Sequence, residues 1–273
     1  MMHELVSSLK GVNDGSILPI IVDNGSSSGE VNDLLMEFGS WAKIVRLNRN
    51  VGFVAAANIG IKLGLKNNCN LFMILHNDCL IATDVVSQLR LLGLVCKKNG
   101  IMGPAIYDLD GNHKFSAGRL ILPLGIPFMS SSKNNLPQFV DFVAEVGLTI
   151  SKEVIEKVGF FDERFSSGYF DYDICIRARR SGFHVVYVPS ARVIHRYAST
   201  RSRLVRANRA RRVSITASSN HFRFLAKYNS KILLPLQVFA FVAFIVPSVF
   251  LHAVIDRRER EYLASLLRAY MSF

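Results

Sequence analysis

The sequence has no CxxC pair, no apolar segment at its N-terminus, no internal repeat, and few acidic residues after Ala191. The four cysteines, Cys69, Cys79, Cys96 and Cys175, lack a histidine partner at zinc spacing. They read as reduced, mostly buried thiols rather than a disulfide framework or zinc site, which fits a cytoplasmic location. Met1–Lys10 is polar and amphipathic, so no secretory leader is expected. The scarcity of acids is local. From Arg192 to Phe273 there are 15 Lys and Arg against only Asp256, Glu259 and Glu261, whereas the first 191 residues carry 18 charges of each sign. The net charge of +12 therefore resides wholly in the tail. A neutral body with a basic tail points to contact with an anionic surface.

What is present fits one α/β domain with an appendage: 273 residues, half of them apolar. Strand-like runs alternate with helical patterns over the first two-thirds. Strands are expected at Ile17–Val22, Ala42–Leu47, Leu71–Leu75, Ile101–Tyr107, His184–Pro189 and Arg192–His195. Helices are expected at about Val31–Phe38, after the loop Asn48–Gly52 to about Lys66, at about Asp84–Lys97, from near Ser151 to Gly159, and at Asp171–Ser181. Repeated β-loop-α units predict a mainly parallel, Rossmann-like sheet with helices on both faces. Ligands of such sheets sit beyond the carboxyl ends of the strands. Asp108–Gly111 reads as a hairpin turn, and Pro123–Pro137 as a surface loop.

The expected boundary lies near residue 200, with a domain over 1–200 and a helical tail over 201–273. Arg201, Arg203, Arg206, Arg209, Arg211 and Arg212 crowd a helix-compatible stretch. Ile232–Ile255 is free of charge for 24 residues, long enough to span a bilayer. Pro235, Gln237, Pro247 and His252 interrupt a plain spanning helix, so two interfacial helices are the other reading, with Arg257, Arg258 and Arg260 at the headgroups. Either way the tail is read as membrane-associating. The arginine cluster lacks interleaved aromatics for base stacking, and no nucleic acid is expected.

Three acidic loops stand out, around Asp23, Asp78 and Asp171. Asp23 and Asp78 follow predicted strands, and Asp171 opens a predicted helix. Oxygen ligands suit Mg²⁺ and Mn²⁺, and an imidazole is acceptable to Mn²⁺, so His76-Asn77-Asp78 could hold such a cation. Each residue also has a plain alternative. Asp23 fits an Asx-turn or helix cap, and Asp171 and Asp173 suit the first turn of a helix. His195 fits a core histidine, and Arg177 fits a partner for a neighbouring carboxylate. Asp162 and Glu163 fit a turn.

The order of motifs resembles family 2 glycosyltransferases, closest to the rhamnosyltransferase-like branch, over about residues 15–228. The resemblance rests on Ile21-Val22-Asp23-Asn24-Gly25-Ser26-Ser27, Asn50-Val51-Gly52-Phe53, Asn58-Ile59-Gly60 and Leu75-His76-Asn77-Asp78, then Gly103-Pro104-Ala105-Ile106. Val158–Phe165, Phe170–Arg179, Val186-Tyr187-Val188-Pro189, Val193-Ile194-His195 and Ser199-Thr200 complete it. It implies a GT-A type nucleotide-sugar-binding fold, a nucleotide-diphosphate sugar donor, a divalent metal (Mg or Mn) and an inverting transfer. By position, Asp23, Asn24, Asn50 and Gly52 would hold the nucleotide, and Asp78, with His76 and His195, the metal. Asp171 would be the general base, with Asp162, Glu163 and Arg177 near acceptor and diphosphate. The acceptor would be a glycan or lipid-linked glycan of cell-surface polysaccharide synthesis, made at the cytoplasmic face of the membrane.

The chain departs from that pattern in four places. The opening strand-loop is not supplied, so the domain is read as N-terminally truncated, with Met1–Leu9 matching the helix that follows that strand. His76 stands where Asn or Asp is usual, Glu145 where Gly is usual near the donor sugar, and Phe170 where an acid usually precedes the base. The missing strand, Glu145 and Phe170 motivate a second reading, a non-catalytic homologue acting as a binding protein.

Overall fold

The computed structural model describes residues 2–12, 15–26, 32, 36–82, 85–95, 98–121, 126–129, 135–165, 168–196 and 219–228. In chain order the elements are α1 (Met2–Val12), β1 (Ile20–Asp23), β2 (Lys43–Arg46), α2 (Phe53–Lys66), β3 (Leu71–Met73), β4 (Cys79–Ile81), α3 (Val85–Val95) and β5 (Asn99–Tyr107). They continue with β6 (Ala117–Ile121), β7 (Ile126–Met129), β8 (Gln138–Phe139), β9 (Phe142–Val143), β10 (Thr149–Ser151), α4 (Lys152–Val158), α5 (Phe170–Arg180) and β11 (His184–His195). A further helix covers 219–228. Two compact units are distinguished, one of residues 1–119, 128–164 and 170–199, the other of 120–127, 165–169 and 200–273.

In the first unit β1 and β2 pair in parallel, Ile20 opposite Lys43 through Asp23 opposite Arg46. A six-stranded sheet runs β3-β10-β5-β11-β4, with β8 also against β11. Within it only β5 and β11 run parallel; β10 is antiparallel to both β3 and β5, and β4 and β8 are antiparallel to β11. The expected mainly parallel sheet is therefore corrected to a mixed one. The strands that change its character, β4 and β10, are three residues each, too short to carry a hydrophobic period in the sequence.

The two strands expected at His184–Pro189 and Arg192–His195 are one, β11, with a register shift between Val188 and Arg192. Pro189 lies in that shift, where a residue without an N–H leaves the ladder uninterrupted elsewhere. The expected surface loop Pro123–Pro137 contains β7. The expected Asp108–Gly111 turn is present, closed by Gly111 N–H donating to the Asp108 carbonyl at 3.1 Å.

Helix α1 packs on the sheet through Leu5, which joins Cys79, Ile81, Val85, Leu89, Met102, Ile106, Val186, Val188 and Val193 in one buried cluster. Burial of such apolar side chains contributes about 25–30 cal/mol per Å² removed from water. Helix α2 lies against both β1 and β3. A Cβ at Gly64 would meet the Phe72 ring at 2.8 Å, and one at Gly60 would meet Val22 at 3.4 Å. Glycine at 64 is what lets the helix approach so closely. Helix α4 is capped as its ends predict: the Ser151 side chain accepts from Val154 N–H, and Gly159 follows with φ +83°.

Cys79 and Cys175 are free and buried, and Cys69 is free and half-buried. Burial pushes the Cys79 thiol up to about 12, so it is an inert core residue. Cys96 lies outside the described residues, as do the arginine cluster, Ser199-Thr200 and Ile232–Ile255. Among the described residues no helix is long and apolar enough to cross a membrane.

In the second unit the helix over 219–228 meets the 165–169 segment. Tyr169 Oη lies 2.8 Å from His221 Nδ1, Asn220 Nδ2 donates to the Gly168 carbonyl at 3.4 Å, and Lys227 Nζ sits 5.6 Å from the Phe165 ring centre. Burial pushes His221 down to about 4, so its ring stays neutral near pH 7.

Candidate active site

Strand β1 ends on Asp23, and the loop after it is folded onto the loop before α2. Asp23 Oδ1 accepts from Ser26 N–H at 3.0 Å, an Asx-type turn. Asn24 Oδ1 accepts from Val51 N–H at 2.8 Å, while its amide donates to the Gly52 carbonyl and to Asn50 Oδ1. Asn50 Oδ1 also accepts from Gly52 N–H at 2.9 Å. The two loops touch closely at Gly25, where a Cβ would lie 2.7 Å from the backbone of Arg49 and Asn50. Gly52, at φ +89°, caps α2 without a side chain. Asp23 is buried, its Oδ2 accepts no hydrogen bond from the described residues, and Arg46 Nε is 3.9 Å away as an ion-pair partner. A buried carboxylate oxygen left in this way is suited to accept from a ligand hydroxyl or N–H.

The residues His76, Asp78 and His195 converge, each offering a ligand atom within 4.8 Å of the others. The ladder explains the meeting. Cys79 pairs with His195 in the β4–β11 register, and Arg196 N–H donates to the Asp78 carbonyl at 3.0 Å. Nε2 of His195 lies 3.0 Å from Asp78 Oδ1, and the His195 and His76 rings meet edge-on at 5.2 Å. One carboxylate and two imidazoles suit Mn²⁺ better than Mg²⁺, which prefers oxygen ligands.

Beside this cluster lie two more carboxyl groups. Asp171, in the first turn of α5, is buried and accepts from Tyr172 N–H at 3.0 Å. Burial raises it well above the ordinary carboxylate range, partly offset by backbone N–H groups of Tyr172, Asp171 and Glu145. Glu145 is raised as well, first by burial and then by the charge of Asp171. Its carboxylate sits 3.4 Å from His76 Nε2. The two positions that stood out as unusual in the sequence, 76 and 145, are therefore neighbours. The third, Phe170, packs on Phe53 at 5.7 Å, and Phe53 packs edge-on against His76 at 4.7 Å.

Other candidates are committed to the framework. Arg177 donates to Asp173 Oδ2 at 2.8 Å, to the Val158 carbonyl at 2.6 Å and to the Phe160 carbonyl at 2.8 Å. Its donors thus serve a carboxylate and a backbone turn. Asp162 takes Arg164 in a two-toothed pair at 2.9 and 2.6 Å. Glu163 Oε1 accepts from Asn58 Nδ2 at 2.9 Å. Asn58 is the residue whose role sequence reasoning missed. Its amide also donates to the Phe161 carbonyl at 3.0 Å and accepts from Phe161 N–H at 3.1 Å. The available signal was a polar residue on the buried stripe of α2, between Val54 and Ile61.

The family model described as "Glycosyltransferase like family 2" matches residues 20–214, more than half of the chain. Among curated proteins, the dTDP-rhamnosyl transferase RfbF of Shigella flexneri is 25% identical over 205 residues, 71% of this chain and 64% of the relative. The low-salt glycan biosynthesis hexosyltransferase Agl10 of Haloferax volcanii is 24% identical over 205 residues, 71% of this chain and 62% of the relative. The chain thus spans less than two-thirds of the length of either. Among solved structures, GalNAc-T7 with UDP, GalNAc and Mn²⁺ aligns at a TM-score of 0.60 and 15% identity, covering 92% of this chain and 55% of that one. Residues 1–349 of TarS from S. aureus align at 0.53 and 10% identity, covering 100% and 88%. Both are likenesses of fold, and the fold is GT-A-like.

Proposed function

The chain belongs to the glycosyltransferase-like family 2 and is rhamnosyltransferase-like, and from that premise we propose an inverting, metal-dependent glycosyltransferase. Its donor is a nucleotide-diphosphate sugar and its acceptor a glycan or lipid-linked glycan. The observation that carries the reading is the convergence of His76, Asp78 and His195 in a site that also contains the buried Asp171.

Each part of the transfer has a residue suited to it. Oδ2 of Asp23, which accepts no hydrogen bond from the described residues, suits the nucleobase or ribose, with the Asn24–Asn50 contact tying that loop to the one before α2. His76, Asp78 and His195 would hold the divalent cation. When bound, it supplies positive charge against the departing diphosphate. Asp171 takes the proton of the acceptor hydroxyl as the acceptor oxygen bonds to the anomeric carbon and the bond to the diphosphate breaks. Attack from the face opposite the leaving group inverts the anomeric configuration. An acid raised toward neutrality is a stronger base once ionised, which suits that task. The basic tail supports docking on an anionic membrane surface, where a lipid-linked acceptor resides.

Calorimetry with UDP, dTDP and GDP in the presence of Mn²⁺ tests the donor site. The Shigella relative's name puts dTDP first among them. Absence of binding heat with all three sinks the proposal. The non-catalytic reading draws on Glu145, a second carboxyl group against Asp171. It gains if a nucleotide binds but the wild-type chain, given donor and acceptor glycan, leaves the donor intact.

A further inference from the structure

Glu145 is used by no step above, yet its backbone is held in place beside the cluster. It stands at the head of a turn in which Leu148 N–H donates back to its carbonyl at 3.3 Å. Gly147 in that turn has φ +77°, and a Cβ there would lie 2.5 Å from Pro104 of β5. The turn feeds β10, whose antiparallel register on β3 continues through Ile74, which donates to Leu148 and accepts from Gly147, each at 2.8 Å. Continuing that run brings the His76 end of one arm against the Glu145 end of the other. The backbone therefore fixes the Glu145 carboxylate beside the His76 imidazole, at 3.4 Å from Nε2.

His76 follows a strand end without a ladder of its own, and an imidazole swings about two side-chain torsions. Among the neighbours that limit that swing are the Phe53 ring at 4.7 Å, the His195 ring at 5.2 Å and the Glu145 carboxylate. Of these three, the carboxylate is the one that faces a ring nitrogen, as an ion-pair contact at 3.4 Å from Nε2 rather than a formed hydrogen bond. A histidine that ligates a metal through one nitrogen is commonly oriented by a carboxylate on the other, which also raises its basicity.

We propose that Glu145 is a positioning residue for the metal centre, holding the His76 imidazole toward Asp78 and His195. The inference rests on the metal-site reading of those three residues. It adds a fourth residue that acts through His76 rather than as a ligand.

The test is Mn²⁺ alone, titrated calorimetrically into wild type, E145Q, E145A, H76N and the double variant H76N/E145Q, with thermal melts for each. The expected result is Mn²⁺ binding by wild type and a loss of about tenfold or more in E145Q and E145A. In the H76N background, removing the Glu145 carboxylate is expected to change affinity less than about twofold. Non-additivity of this kind is what a role through His76 requires. Two results overturn the inference while leaving the metal site standing: unchanged Mn²⁺ affinity in both single Glu145 variants, or an equal loss with and without His76. Failure of wild type to bind Mn²⁺ removes the metal-site reading and the inference with it. E145A serves alongside the near-isosteric E145Q, so a folding defect in one leaves the other to decide.

Discussion

Nε2 of His195 lies 3.0 Å from Oδ1 of Asp78, two residues 117 positions apart. The β4–β11 pairing brings them together, and both side chains are nearly enclosed. Such a pair is either an internal hydrogen bond or two ligands waiting for a cation. The choice is measurable. If they are ligands, D78N and H195N each lower Mn²⁺ affinity by at least about tenfold. Equal affinity in wild type and both variants, read by calorimetry, would make the pair purely structural.

The acidic pair of Asp171 and Glu145 predicts an unusual dependence on pH. Both carboxyls are raised by burial, so the folded protein holds more protons than the unfolded one above the ordinary carboxylate range. Stability contributed by these groups is present below that range and is lost as pH rises through the folded values. D171N, which cannot ionise, is therefore expected to melt a few degrees above wild type near pH 8, with the gap closing toward pH 4. A gap that is constant across pH would contradict the burial argument. In activity, the acid limb of kcat/KM is expected above the usual carboxylate range, as an apparent value of the pair. E145Q, which removes the second ionising carboxyl, should leave a limb set by the burial of Asp171 alone.

Arg177 and Asp173 form an ion pair in which Asp173 is fully enclosed. Removing one member leaves the other buried and unpaired, a loss of about 3–5 kcal/mol. R177M should therefore lower the urea midpoint strongly through Asp173 and the carbonyls of Val158 and Phe160. Nucleotide affinity of the folded fraction should be unchanged. Weakened nucleotide binding with normal stability would instead favour the phosphate role expected for this arginine.

Asn58 ties α2 to the segment that carries Phe161 and Glu163 through three hydrogen bonds. N58L removes its donors and acceptor while the Phe161 N–H stays buried. The expected cost is about 2–4 kcal/mol, from unsatisfied groups rather than lost volume. Urea denaturation of N58L beside wild type measures that cost, and an unchanged midpoint would show these hydrogen bonds to be dispensable.

Much of this protein could be read along the chain. Local chemistry decides an α-helix such as α2, whose apolar stripe and flanking Gly52 and Asn67 mark its limits, and α4, where Ser151 and Gly159 mark both ends. Strand-end acids at Asp23 and Asp78 are visible for the same reason, because a hydrophobic run stops and polar residues begin. The ordered motifs then made the family legible. The tertiary structure decided the rest. The sheet is mixed because β4 and β10 are three-residue strands that exist only by pairing with β11, β3 and β5. Arg177 was ambiguous in sequence because its partners, at 158, 160 and 173, converge only once α4 and α5 pack together. His76 and Glu145 each looked like an isolated misfit, and only the β3–β10 register made them neighbours. Periodicity and punctuation are local and can be read from the chain, whereas long-range register comes from burying both arms of a ladder at once.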